Sequence, residues 1–352
     1  MTDKKSYAVN VISKRMRHHA TASGYDRLAD FLGAHVIHPV SHWTFGKRLA
    51  TRTLRFLIKG SGSRWYQRDS FYSELCAGWH WLLGKGQIFH FLYGENSYRY
   101  LGLLKLKGHR NFIICTYHTP PEKFKVVVHE RSHLGLVDAV IVLSASQMDF
   151  FSDLLGPERV FYVPHGIDVD FYRPKERESA PGVQFRCLFV GSHLRDFATL
   201  AQANQLLIRS GKDFRLSVVT PMKFHDYFRG MNNVELHAGI SDEKLLALYQ
   251  ESDVFVFPLL RSTANNSILE AMACGLPVIC TDLTATREYC NDSCAIFTAK
   301  GDPEALAEAV MYLLEDEVCR QRMARESRNN SLTFSWQKVA SEVQKVYEQV
   351  LF

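Results

Sequence analysis

The 352-residue sequence lacks several patterns that would by themselves place it in a class of proteins. It has no run of about 18 uncharged apolar residues, so it predicts no transmembrane helix. The N-terminus shows neither the apolar core nor the small-residue cleavage site of a signal peptide, which favours a cytoplasmic protein. No predicted strand is followed by Gly-x-Gly-x-x-Gly, and no recognised nucleic-acid-binding module occurs. NAD-linked chemistry and nucleic-acid partners are therefore not expected.

Cysteine is also sparse, and the eight residues are scattered, several of them inside apolar runs. Without a secretion signal, such cysteines are expected to be reduced and buried. Cys290 and Cys294 lie four residues apart, but no second cysteine or histidine pair completes a set of zinc ligands. We therefore expect no metal site and no resident cofactor.

Acidic residues are missing from positions 31–68, although the chain as a whole is only mildly basic. Residues 1–175 hold 24 Lys and Arg against 14 Asp and Glu, whereas residues 176–352 hold 18 against 23. The basic residues of the acid-free stretch are Lys47, Arg48, Arg52, Arg55, Lys59, Arg64 and Arg68.

On a helical wheel, part of this stretch is amphipathic. The cations on one side are Arg48, Arg52, Arg55 and Lys59, and the apolar residues opposite are Ala50, Leu54, Leu57 and Ile58. Three interpretations stay open: contact of residues 47–68 with an anionic membrane surface, a site for an acidic or phosphorylated acceptor, or a solvated helix face. Nearby aromatic residues fit a sugar platform as well as they fit a core.

The chain carries two passes of alternating strand and helix patterns, which predict an α/β protein with two doubly wound parallel sheets. We predict a first domain over 1–172, a linker rich in polar residues and proline, and a second domain over 183–334. A last helix follows over 335–352. The strands predicted are Tyr7–Ile12, Gly86–Leu92, Phe112–Thr116, Ala139–Leu143, Cys187–Val190, Leu216–Thr220, Val234–His237, Val254–Pro258 and Pro277–Thr281.

Polar and glycine residues in the second domain follow strand ends, where a doubly wound sheet binds its ligand. Gly191 permits close backbone approach, and Arg195 supplies fixed positive charge. Thr220 ends the next strand, and Gly239 and Ile240 precede a helix.

The fourth such loop runs into a predicted helix. Asn265, Asn266 and Ser267 fall at its N-terminus, where free N–H groups and the helix dipole favour a phosphate. Glu270 lies one turn inside, where a carboxylate could accept hydrogen bonds from the two hydroxyls of a ribose. For these residues alone, plain helix capping by Asn265–Ser267 and a surface role for Glu270 are equally good interpretations.

Four segments in one order carry a family resemblance: Val163-Pro-His-Gly-Ile-Asp168, the Gly191 loop, Leu245–Pro258 and Leu269–Val278. Together they resemble the retaining GT-B glycosyltransferases of family 4, also called glycosyl transferases group 1. The resemblance is strong over 163–350 and diffuse before that.

The resemblance implies two Rossmann-like domains facing across a cleft, with the C-terminal helix crossing back to the first. It implies a nucleotide diphosphate sugar as donor substrate on the second domain and a glycan, lipid-linked or small-molecule acceptor on the first. Glu270 would hold the ribose, Asn265–Ser267 the diphosphate and sugar, and the loop at Gly239 and Ile240 the base. Basic side chains and the helix dipole would stabilise the leaving diphosphate without a metal ion.

Two positions depart from the family pattern. The usual glutamate eight residues before Glu270 is Ser262, and the usual Arg and Lys after the Gly191 strand are Ser192 and Phe197. Arg195 is placed to replace one of them by a small shift. The departures leave the donor sugar and catalytic competence open.

Two loops of the first domain, with Gly24 and His118, match the acceptor side of the same family, although Gly24 fits a simple turn equally well. His118 resembles the histidine that touches the donor sugar near the reacting carbon, while Gly24 follows the first strand and loop. Glu95 ends another strand and could bond an acceptor hydroxyl.

We therefore expect a retaining, metal-independent hexosyltransferase in which the leaving phosphate oxygen accepts the acceptor's proton. His118 and Arg195 are the expected catalytic residues. The location expected is cytoplasmic, with peripheral attachment to the inner membrane face left open. Two alternatives remain: a degenerate GT-B protein that binds a nucleotide sugar or glycan without turnover, and a sugar-nucleotide 2-epimerase.

Overall fold

The computed structural model describes residues 7–13, 24–38, 50–107, 110–175 and 184–352, without the side chains of residues 50–53, 106 and 107. These residues form two compact units. The first contains 7–13, Gly24–Pro164 and Trp336–Phe352, and the second is His165–Ser335. Residues 165–172, which the sequence placed with the first domain, belong to the second unit.

The first unit is built on a six-stranded sheet in the order β2-β1-β3-β4-β5-β6. All of its strand pairs are parallel. Each strand is a short apolar run, as expected for a sheet covered on both faces. The strands are β1 Val9–Ile12, β2 His35–Ile37, β3 Ile88–Phe91, β4 Phe112–Tyr117, β5 Ala139–Val142 and β6 Val160–Tyr162. Its first six helices are α1 Leu28–Leu32, α2 Ala50–Gly60, α3 Arg68–Leu83, α4 Gly94–Ser97, α5 Pro121–Val127 and α6 Met148–Leu155.

The second unit has a parallel six-stranded sheet in the order β12-β11-β10-β7-β8-β9. The chain order reverses between β7 and β10, which makes this the topological switch point of a Rossmann-like sheet. Its strands are β7 Phe185–Val190, β8 Phe214–Val219, β9 Val234–His237, β10 Val254–Phe257, β11 Val278–Thr281 and β12 Ala295–Thr298. Its helices are α7 Phe197–Arg209, α8 Asp242–Glu251, α9 Asn266–Ala273, α10 Thr284–Arg287, α11 Pro303–Glu315 and α12 Glu317–Ser331.

Side-chain caps begin four of these helices, and at α12 the Asp316 carboxylate accepts the backbone N–H of Cys319 at 2.8 Å. The carboxylates of Asp196 and Asp302 accept the backbone N–H of Thr199 and Ala305 at 3.1 and 2.9 Å. Ser241 accepts from Lys244 in the same way at the start of α8. Such caps pair N–H groups that lack a partner in the first helical turn.

The last helix, α13 (Trp336–Leu351), returns to the first unit. Its buried residues, among them Trp336, Val343 and Tyr347, recur every three to four residues. Tyr347 Oη lies 2.7 Å from Nδ1 of His90 on β3, and the Trp336 ring packs edge-on against Tyr25. α13 therefore supplies part of the core of a sheet whose strands lie far earlier in the chain.

The structure also changes details of the predicted elements. Residues 222–228 form a 3-10 helix, and β2, β6, α3 and α12 are among the elements that the sequence did not predict. None of the helices in the described ranges is both long and apolar enough to cross a membrane.

Candidate functional site

The loops after β7 and β10 are joined at the switch point of the second unit. The N–H of Asp196 donates to the carbonyl of Pro258 at 3.0 Å, and Leu260 donates to Leu194 at 2.9 Å. These bonds fix two loops from neighbouring strands at the carboxyl edge of the sheet, where such folds bind ligands.

Arg195 is the cation of this edge. Its guanidinium donates to the carbonyls of Val190 at 3.2 Å and His193 at 2.9 Å, and lies 4.1 Å from the centre of the Phe257 ring. Burial lowers the pKa of Arg195 to about 9, while Tyr249 and Glu270 act in the opposite direction. The side chain is therefore charged at neutral pH and held in one orientation.

Gly191 makes room for that side chain. Its φ is 105°, outside the range that other residues adopt readily. A Cβ at this position would lie 2.7 Å from Nη2 of Arg195. Both the backbone conformation and the close approach thus require glycine here.

Asn265 occupies the N-cap position of α9, but its side chain does not cap the helix. It donates instead to Oγ of Ser262 at 2.8 Å. Ser267, in the first turn of α9, lies with its Oγ 3.5 Å from Nη2 of Arg195. Asn266 is the first residue of α9, so the helix N-terminus and the Arg195 guanidinium lie at one place. Their combined positive charge fits an anionic group.

Glu270 is only 4% exposed, which rules out the surface role that the sequence left open. Its Oε2 accepts the hydroxyl proton of Tyr249 at 2.8 Å. A buried carboxylate is stabilised by such hydrogen bonds and by the nearby Arg195 charge.

Thr220 and the loop with Gly239 and Ile240 follow β8 and β9 at the same edge. The backbone N–H of Thr220 donates to His237 at 2.9 Å, and its side chain is buried. Gly239 adopts a φ of 64°, with nothing within 4 Å of an added Cβ. Ile240 packs against the core of the unit. The structure therefore brings all eight donor-binding residues predicted from the sequence, and Arg195, to one sheet edge.

In the first unit, His118 follows β4 and lies in an aromatic cluster. Its ring stacks on Tyr93 at 4.4 Å and meets Tyr25 edge-on at 4.9 Å. Nε2 lies 2.7 Å from the carbonyl oxygen of Leu92, so this nitrogen carries a proton. Gly24 immediately precedes Tyr25 and is buried, whereas residues 16–23 of the same predicted loop lie outside the described residues.

Glu95 lies on α4, directly after β3, and its Oε1 accepts the backbone N–H of His118 at 3.1 Å. The carboxyl group is buried, and its Oε2 has no hydrogen-bond partner among the described residues. Burial raises the pKa of Glu95 to about 7, against the opposing effects of its backbone hydrogen bonds and of Lys123. Gly24, Glu95 and His118 thus lie together at the carboxyl edge of the first sheet.

Residues 184–316 match the model of the family described as Glycosyl transferases group 1. The match spans the β7 loop, the 220 and 239 loops and all of α9. This part of the chain is therefore of the group 1 glycosyltransferase type, and the chain as a whole has the GT-B fold.

Known proteins similar to this chain agree with that match. MMP alpha-(1->4)-mannosyltransferase of Mycolicibacterium hassiacum is 27% identical over 240 residues, which cover 64% of this chain and 57% of that protein. A second curated relative is matched over 61% of its length, so the similarity spans about three fifths of these proteins.

Two solved structures show the same fold. Sucrose-phosphate synthase from Thermosynechococcus elongatus has a TM-score of 0.70 at 18% identity, covering 97% of this chain and 98% of that one. An Anabaena protein in complex with UDP and glucose has a TM-score of 0.67 at 15% identity, covering 96% and 98%. At these identities the likeness concerns architecture alone.

The sequence did not predict which residues contact the residues of this site. Tyr249 lies within the quoted segment Leu245–Pro258 but was given no role, although it holds Glu270. Phe257 packs against Arg195, and Tyr93 against His118. An aromatic residue in a polar strand-end segment was the available signal, but its partner depends on tertiary contacts.

Proposed function

We propose that the protein transfers a sugar from a nucleotide diphosphate sugar to an acceptor hydroxyl, with retention of anomeric configuration. The observation that carries the proposal is the convergence of the partly buried Arg195 guanidinium with the N-terminus of α9 at the switch point of the second unit. A diphosphate is the anion that this arrangement suits, because backbone N–H groups and a fixed cation can both face its oxygens.

Glu270 is proposed to bind the ribose of the donor. Tyr249 already donates to Oε2, which orients the carboxylate for further donors such as two adjacent ribose hydroxyls. Thr220, Gly239 and Ile240 would then lie toward the base, since they follow the next strands along the same edge.

In the proposed step, the acceptor oxygen forms a bond to the anomeric carbon while the bond from that carbon to the diphosphate oxygen breaks. The electron pair leaves with the diphosphate, and the acceptor's proton passes to a diphosphate oxygen on the same face. Arg195 and the α9 N-terminus stabilise the charge that develops on the leaving group. These groups provide the electrostatic role of a metal ion, so we propose metal-independent transfer.

For the first unit we propose acceptor binding through Gly24 and Glu95, and for His118 the contact with the donor sugar implied by the family. The acceptor class proposed is a glycan, a lipid-linked sugar or a small molecule with a free hydroxyl. We also propose a cytoplasmic location, with peripheral attachment to an anionic membrane face through basic residues 47–68.

A panel of nucleoside diphosphates tests the donor site. The matching diphosphate at 100 times its dissociation constant should stabilise the fold by about 2.7 kcal/mol, measured as a shift in unfolding temperature. A nucleotide sugar with the selected base, incubated with an acceptor pool, should then give a product of retained configuration by NMR. If no diphosphate shifts the transition, the donor-site proposal is wrong.

Binding without turnover is a second candidate, favoured by Ser262. A serine with its hydroxyl bonded to Thr263 and Asn265 cannot provide the carboxylate that the family uses to hold the donor sugar. Donor binding with no transfer to any acceptor would support this candidate. Restored transfer in Ser262→Glu would instead assign the loss to that one position.

A further inference from the structure

Helix α3 has apolar residues on both of its sides. Ala77 and Trp81 are buried against the sheet, as expected for a core-facing stripe. On the solvent side Leu75, Trp79 and Leu82 follow the same helical spacing, and they are 50%, 65% and 50% exposed. Single exposed apolar residues are ordinary, whereas a stripe of large ones marks an interaction surface.

The exposed stripe borders a groove of about 740 Å³. Its walls are α3, the edge strand β2 and the 3-10 segment Leu101–Lys107. Leu103 and Leu104 line the wall opposite Trp79, and Leu103 is itself 52% exposed. Most of the side chains that line the groove are apolar or aromatic.

Cations lie beside this groove. Helix α2 packs next to α3, and the carbonyl of Leu57 on α2 accepts the hydroxyl of Tyr100, a groove residue, at 2.5 Å. Arg55 and Lys59 are exposed on α2, and no acidic residue occurs between positions 31 and 68. Phe56, between them, is 76% exposed.

We infer that this face, named here the α2–α3 face and formed by Arg55, Phe56, Lys59, Leu75, Trp79 and Leu82, docks on an anionic lipid bilayer. An anionic bilayer offers a negative surface for the cations and hydrocarbon for the apolar stripe. A second copy of the chain fits less well, because two-fold pairing would bring like charges together. The inference deepens the peripheral location proposed above but does not depend on sugar transfer.

Vesicle co-sedimentation of the full chain tests the inference. Vesicles of equal parts phosphatidylcholine and phosphatidylglycerol should bind the protein, and pure phosphatidylcholine should bind it far less. Trp79→Ser should weaken binding about tenfold, because the variant loses the aromatic side chain that the bilayer would bury. The control is Val318→Ser on α12, because this apolar residue of the second unit is even more exposed, at 81%, and the change should leave binding unaltered.

The charge arm uses Arg55→Gln with Lys59→Gln. Each loss should weaken binding to the anionic vesicles about fivefold, and added salt should weaken it further. Arg229→Gln, at an exposed position of the second unit, is the control and should have no effect.

Insertion is tested with acyl chains brominated near the middle of the bilayer. These lipids should quench part of the tryptophan fluorescence of the native protein, and Trp79→Phe, which still binds, should lose that part.

Equal binding by Trp79→Ser and Val318→Ser, or no binding of the native chain to anionic vesicles, overturns the inference. Concentration-dependent dimers abolished by Trp79→Ser also overturn it and assign the face to a second copy. The shift in unfolding temperature that the nucleoside diphosphate causes is measured on every variant and should be retained. A failure of the membrane inference can then be distinguished from a failure of the proposed donor site.

Discussion

Glu270 and Arg195 illustrate how single residues define the proposed donor site. Replacing Glu270 with Gln removes the charge but keeps the shape of a buried side chain that accepts from Tyr249. A charge-assisted hydrogen bond contributes about 1.5–3 kcal/mol, so nucleoside diphosphate affinity should fall at least tenfold by calorimetry. Glu315→Gln, at an exposed ion pair with Lys212, is the control. Unchanged affinity in Glu270→Gln would remove Glu270 from the donor site.

In the first unit, Glu95 provides a second test at the scale of one residue. Here the substitution is expected to raise the stability of the fold. Because burial holds the folded pKa at about 7, above the ordinary value of 4.5, stability is lost as pH rises through this window and stays lost above it. Glu95→Gln should therefore stabilise the protein at pH 8 by up to about 3 kcal/mol and much less at pH 5. Unfolding temperatures at the two pH values measure this, with exposed Glu158→Gln as control.

The same variant tests the proposed role of Glu95. If its carboxyl group bonds the acceptor, Glu95→Gln should raise the KM for the acceptor while the protein becomes more stable. A stabilised variant with unaltered acceptor kinetics would contradict acceptor binding by Glu95.

At this scale, the sequence identified the residues of the site better than their environments. Asn265 to Glu270 could be found because a polar loop before an apolar helix is a local pattern. The burial of Glu270 could not, since it depends on Tyr249, 21 residues earlier, donating across the fold. Capping by Asn265 was a reasonable local expectation, but its side chain donates instead to Ser262 within the same loop.

Among the elements, Gly191 in the loop after β7 and Gly230 in the turn before β9 provide a matched pair of variants. Gly191→Ala and Gly230→Ala both place a Cβ at positive φ, which destabilises by about 1–2 kcal/mol. Only at Gly191 would the Cβ meet Arg195, since nothing lies within 4 Å at Gly230. Chemical unfolding should show a loss in both, whereas nucleotide affinity should fall in Gly191→Ala alone. A parallel fall in Gly230→Ala would refute the steric explanation.

The junction of β3, β4 and α13 should make the protein acid-sensitive. His90 lies between Tyr347 and Thr116, and burial lowers its pKa to about 3. Between the ordinary value near 6.5 and 3, only the unfolded chain takes up the proton, so stability is lost as pH falls. His90→Gln should remove up to about 1.4 kcal/mol per pH unit from this slope.

Unfolding free energies measured between pH 4.5 and 6.5 provide the check. Exposed His129→Gln serves as the control, and it should leave the slope as in the native chain. A slope unaltered by His90→Gln would mean that this histidine is protonated in the fold.

Elements with strong local patterns were predicted, and those without were not. β4, β5 and β9 are short runs bounded by turn or polar residues. Their predicted bounds agree with the structure to within a residue or two. β2 has only three residues, and α3 was missed because apolar residues on both sides blur the helical period. α12 is rich in charge and buries only four residues, among them Cys319 and Met323.

For the whole molecule, the eight free cysteines predict a simple thiol titration. Seven are buried, and only Cys76 is partly exposed. A thiol reagent should therefore label one cysteine rapidly in the native protein and all eight after denaturation without reductant. Fewer than eight in denaturant would reveal a disulfide.

The fold class and the family could be predicted because βαβ order and four ordered segments extend over half the chain. The assignment of residues to the two units could be predicted less fully. The return of α13 was implied by the family, whereas residues 165–172 joined the second unit through contacts such as Arg328 to the carbonyl of Tyr172 at 3.0 Å.

The place of α13 has a consequence for the order in which the protein matures. The first unit needs Trp336, Val343 and Tyr347 for its core, yet the ribosome makes these residues only after the whole second unit. The second unit, His165–Ser335, is complete in the nascent chain before then. We expect it to acquire its structure before the first unit, whose core closes only after α13 has been made.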